Sequence, residues 1–153
     1  MRPLFATLGL LGCATAVVAT AAARLPAAPM TVTLSSLRAT AHPVRLTATL
    51  RYEMQCGYPG PEPVKLTVPA PPGRLPRSAV LVNGKPATAV ATKGRVVTIA
   101  MPKRPQILCD AIGPGALRLR VGGLRNPAAA GTYRVTAVKG AQRFGAVVHV
   151  VHG

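Results

Sequence analysis

The sequence predicts an all-β fold of two antiparallel sheets packed face to face. Three observations carry this. Apolar and polar residues alternate with period two in several short segments, the pattern of half-buried strands. Gly (15) and Pro (16) together punctuate the 153 residues at short intervals. The apolar mass is mostly Val, Ala and Leu, with 3% aromatics and no Trp, which suits short strands and many turns better than long helices.

Residues 1–23 stand apart from that fold. Met1-Arg2-Pro3 is a short basic start, residues 4–23 carry no charge, and Ala21-Ala22-Ala23 offers the small residues that signal peptidase requires. The segment reads as a signal peptide, with a linker over 24–30 and the β domain over 31–153. Two further readings stay open: Leu10-Leu11-Gly12-Cys13 as a lipobox with Cys13 lipidated, and residues 4–23 as an uncleaved anchor of about bilayer length. No second apolar span follows, so no integral membrane domain is expected after the signal. Cleavage removes Cys13 and leaves Cys56 and Cys109, which in an exported chain are most simply a disulfide.

Along the mature chain an early strand falls near 31–37. The clearest alternation is 44–53, with Val44, Leu46, Ala48, Leu50 and Tyr52 on one side and Arg45, Thr47, Thr49, Arg51 and Glu53 on the other. Gly57-Tyr58-Pro59-Gly60-Pro61 is a turn, and 64–68 is a short strand. Residues 79–82 lead into Asn83-Gly84, the strongest two-residue hairpin signal, with 87–91 returning. Lys93-Gly94 is a second tight turn before a strand over 95–100. Three prolines argue for a loop over 102–114, with Cys109 inside it. Strands follow over 117–121, 133–138 and 142–151, the last two closing around Lys139-Gly140. The total is about eight strands with no convincing helix.

Residues 78–101, SAVLVNGKPATAVATKGRVVTIAM, and 124–138, LRNPAAAGTYRVTAV, resemble a pattern in secreted or wall-associated bacterial proteins with Ig-like β-sandwich domains. There a V-x-V-N-G hairpin precedes a late N-P-x-x-A-G-x-Y strand. The likeness covers about the C-terminal half and implies an Ig-like antiparallel sandwich serving as an extracellular structural or binding module. It transfers no catalytic residue, and the Cys56/Cys109 pair is a departure from the pattern. Tyr133, entering a late strand after Gly131, is expected to pack in the sandwich and tie a corner through its hydroxyl.

Charge is the strongest compositional bias: 19 Lys and Arg face only Glu53, Glu62 and Asp110, a net +16. A GC-rich genome would inflate Arg, but it would not remove Asp and Glu. Arg45, Arg51, Lys65, Arg118, Arg120, Arg134 and Arg143 fall on the polar phase of their strands and should cover the outer faces. With so few acids to interleave, the field should be positive over most of the surface. Anionic cell-surface polymers or lipid headgroups are the expected partners. Specific nucleic-acid binding is not expected, since export removes the usual targets and stacking aromatics are scarce.

Other chemistry is thinly supplied. An exported hydrolase would have to use Glu53, Glu62 or Asp110, and Ser35, Ser36 and Ser78 sit in no nucleophile elbow. A copper carrier would draw on His42, His149 and His152, yet residues 149 and 152 point to opposite faces of a strand. Met30, Met54 and Met101 are scattered and read as core. The expectation is therefore a non-enzymatic module with no cofactor and no metal.

Overall fold

The alternating segments become strands because each can turn one face to a common core while its ladder satisfies the backbone. The computed structural model describes residues 28–103 and 109–153. The strands are β1 (Ala28–Leu34), β2 (Val44–Gln55), β3 (Val64–Thr67), β4 (Val80–Val82), β5 (Lys85–Pro86), β6 (Val90–Lys93), β7 (Val96–Ile99), β8 (Ile112–Leu124), β9 (Gly131–Lys139) and β10 (Gln142–Val150). Among the described residues one 3-10 turn covers Arg77–Ala79. No helix among the described residues is long and apolar enough to cross a membrane. The expected signal segment, Cys13 and residues 24–27 lie outside the described residues. β1 begins at Ala28, so the end of the expected linker is strand.

The ten strands form one continuous sheet, β5-β4-β8-β2-β1-β10-β9-β3-β7-β6, rather than two separate sheets of about eight strands. β1 is the join. Its Ala28 and Pro29 pair in parallel with Phe144 and Gly145 of β10, while Met30 to Leu34 pair antiparallel with Leu50 to Leu46 of β2. Pro29, with no N–H to give a ladder, sits where the strand changes partner. The sheet curls so that its halves face each other over one apolar cluster. Leu46, Leu50, Leu117 and Leu119 come from one half, and Leu66, Ile99, Val135 and Phe144 from the other. Met30, Met54 and Met101 are buried in it.

Two segments depart from expectation for local reasons. The Asn83-Gly84 turn forms with both residues at positive φ (48° and 82°), but its return arm is short. Ala87 N–H still donates to the Val80 carbonyl at 3.0 Å, and from Thr88, whose N–H donates to the Ala100 carbonyl at 3.2 Å, the chain leaves β4. Val90–Lys93 then crosses to the other half and pairs with β7 around Lys93-Gly94. In the expected loop over 102–114, β8 already starts at Ile112 and pairs Gly113, Pro114 and Gly115 with Met54, Glu53 and Tyr52. A Cβ at Gly115 would collide with the Met54 side chain, so glycine there permits the close approach.

Candidate polyanion-binding faces and the buried lysine cluster

Strand phase decides which cations meet solvent. On β2 and β8, Leu46, Ala48, Leu50, Leu117, Leu119 and Val121 are buried, which turns Arg45, Arg51, Arg118 and Arg120 outward. On the other half, Leu66, Val135, Ala137 and Phe144 point in, leaving Lys65, Arg134 and Arg143 exposed. All seven sequence-predicted cations are thus exposed, but on two faces. Four lie on the outer face of β5-β4-β8-β2-β1, three on that of β10-β9-β3-β7-β6. On the second face they alternate with apolar residues: Val138 stands between Arg143 and Lys65, and Val147 beside Arg134. None of the seven forms an ion pair among the described residues, where the sole pair is Lys139–Glu62.

Lys139 is the charged residue that the sequence reading left in a turn. It shares the inward phase of Tyr133, Val135 and Ala137, and that phase could have exposed it. Its side chain is 5% exposed. Nζ donates to the Gly60 carbonyl at 2.8 Å and the Glu62 carbonyl at 2.7 Å, and reaches Glu62 Oε2 at 3.5 Å. It also lies 6.0 Å from the Tyr52 ring centroid, and that ring meets Phe144 edge-on at 6.4 Å. Burial lowers the Lys139 pKa, partly countered by the Glu62 charge. A hydrogen bond from its own backbone N–H, and then Lys139, hold the Glu62 carboxyl below its ordinary value. Burial, and then Glu62, push the Tyr52 phenol above its ordinary value of 10. The Tyr52 hydroxyl is buried with no hydrogen-bond partner among the described residues. With its ammonium spent on two carbonyls and a carboxylate, Lys139 fastens the 57–63 loop over the end of the core.

The Cys56–Cys109 disulfide closes the same end, with Cα atoms 6.1 Å apart. Cys56 N–H donates to the Ala111 carbonyl at 2.7 Å, and Gln55 Nε2 to the Cys109 carbonyl at 3.2 Å. Tyr133 makes the expected corner, its hydroxyl donating to the Ala129 carbonyl at 2.7 Å. Buried Asn126 pins a second corner by donating to the Ser36 and Arg38 carbonyls at 2.9 and 2.8 Å.

The three acids do not share a cleft. Glu53 faces outward on β2, Glu62 is engaged by Lys139, and Asp110 is exposed beside Cys109. Among the histidines, His149 Nδ1 lies 3.0 Å from Thr132 Oγ1, and His42 precedes a cis proline. No group of three or more His, Cys, Asp or Glu among the described residues is placed to hold a metal ion.

No protein-family model matches this chain, and no curated relative does. Among solved structures it is similar in fold to BslA, a bacterial hydrophobin, with a TM-score of 0.53 at 19% identity. The match covers 82% of this chain and 98% of BslA's.

Proposed function

We propose that this chain is an exported, non-enzymatic β domain of the cell envelope or extracellular space, whose cationic faces hold anionic surface polymer. One observation carries the reading: seven strand-borne cations point to solvent unpaired on a chain with three acids, one of which is already engaged inward. Such a surface gains affinity from counterion release and should lose it steeply with salt. The signal-like first segment and the disulfide support export. That BslA is a bacterial hydrophobin is in keeping with the role. The Tyr133 corner supports assigning the curled sheet to the Ig-like sandwiches.

A surface-coating role of the hydrophobin kind would need exposed apolar side chains gathered in one patch. Among the described residues the exposed large apolar side chains are spread out: Leu37 and Val151 sit together at the Val44 end of β2, Ile112 lies at its Gln55 end, and Val147 stands beside Arg134. The cationic reading is therefore preferred. Retention on purified cell wall, scanned over salt, tests it: binding at low salt and release on raising salt are expected. No retention at low salt overturns the reading, and retention on anionic liposomes alone would replace polymer by lipid headgroups.

A further inference from the structure

The two faces differ in what lies between their cations. On the β5-β4-β8-β2-β1 face the cross-strand register builds two parallel rows. Arg120 stands opposite Thr47, and Thr47 opposite Thr33. Arg118 stands opposite Thr49, and Thr49 opposite Thr31. In each row a guanidinium is followed by two hydroxyls at strand spacings of about 4.8 Å, and the rows repeat every two residues, about 6.8 Å. All six residues share the outward phase, since Met30, Leu46, Ala48, Leu50, Leu117, Leu119 and Val121 between them are buried. Leu81, Asn83, Gly84 and Ala116 border the arginine column and complete an open groove of about 440 Å³ with Arg118 and Arg120. Arg51 and Arg45 continue the positive charge along β2, and Glu53 is the acid at its far end.

We infer that this face, and not the β10-β9-β3-β7-β6 face, is the polymer-binding one, and that its ligand is an acyclic polyol chain linked by phosphodiesters. The inference rests on the cationic reading above and deepens it. Guanidinium groups in a column suit anionic oxygens spaced along a chain. The Thr columns can donate to and accept from neutral hydroxyls beside each anion. Among the described aromatic residues, Tyr52 and Phe144 point into the core, Tyr133 is on β9, and Tyr58, in the 57–63 loop, lines a neighbouring pocket with Asn83 and Lys85 at the turn end of the groove. Among the described residues the Arg–Thr rows themselves therefore carry no ring on which a sugar or base could stack. Its open form suits a chain laid across it better than a single enclosed headgroup.

The test compares retention of the full disulfide-bonded chain on poly(glycerol phosphate), inorganic polyphosphate and poly-glutamate over a salt series. The double variant R118Q/R120Q should lower poly(glycerol phosphate) affinity at least tenfold. It should also flatten the log–log salt slope by about 1.4, some 0.7 per lost contact on a single chain. The charge-matched R134Q/R143Q should lose less than threefold. T31V/T33V/T47V/T49V should lose about tenfold on poly(glycerol phosphate) at unchanged slope and little on polyphosphate, with the four Thr→Ser changes restoring binding. Equal losses from the two arginine pairs overturn the choice of face, and equal retention on polyphosphate overturns the polyol. Wild-type chain that is retained on none of the polymers at low salt overturns the cationic reading itself.

Discussion

Changing Tyr52 to Phe removes one oxygen from the core, and the chain should become more stable for it. The hydroxyl is buried without a partner among the described residues, and a polar group held that way costs roughly 1–3 kcal/mol. The ring's other interactions survive: Phe keeps the edge-on contact with Phe144 and the ammonium of Lys139 above its face. Tyr52→Phe is therefore expected to gain about 1–2 kcal/mol at neutral pH. In urea that moves the midpoint up by about 0.5–1 M with an unchanged slope. The alkaline limb gives a second reading of the same group. Burial, then Glu62, raise the Tyr52 pKa above its ordinary 10, so the folded state keeps the proton that the unfolded chain releases. Wild-type stability should thus fall as pH rises past 10, and that part of the fall should vanish in the variant. A midpoint that drops by the equivalent of 1 kcal/mol or more refutes the argument, because it would mean the hydroxyl has a bound partner.

Replacing Cys56 and Cys109 together by Ser should cost about 4 kcal/mol, from the entropy of closing a 53-residue separation, read as a lowered urea midpoint. Asn126→Ala leaves the Ser36 and Arg38 carbonyls without their donor and should cost about 1–3 kcal/mol in the same assay. Glu62 has its pKa lowered in the fold, so its stabilisation is present above the ordinary value of 4.5 and is lost as pH falls through the lowered one. Glu62→Gln should remove that acid-side slope from a stability–pH profile, whereas an unchanged slope would show that the carboxylate contributes nothing there.

The long alternating stretch at 44–53 was readable because period-two patterning directly reports a strand with one buried side. The Asn83-Gly84, Lys93-Gly94 and Lys139-Gly140 turns were readable for a similar local reason, since glycine at positive φ is a property of a few adjacent residues. The return arm after Asn83-Gly84 was misplaced because the chain leaves β4 after Ala87 and Val90–Lys93 pairs with β7, a partner that only the curled sheet brings within reach. β8 was drawn too short because Pro114 reads as a breaker. Its neighbour Gly115 is needed for the approach to Met54, and that approach exists only once β2 and β8 are paired.

Local chemistry along the chain was enough to specify a strand-built domain, its cysteine pair and the outward phase of its seven cations, because each depends on residue type and a spacing of two. Tertiary pairing alone decided that β1 joins both halves into one sheet and that the cations divide four and three. It also aligned Thr-Val-Thr with Thr-Ala-Thr beside Arg118 and Arg120, and carried Lys139 inward to the 57–63 loop. Register and sheet order are relations between segments tens of residues apart, set by the shared core.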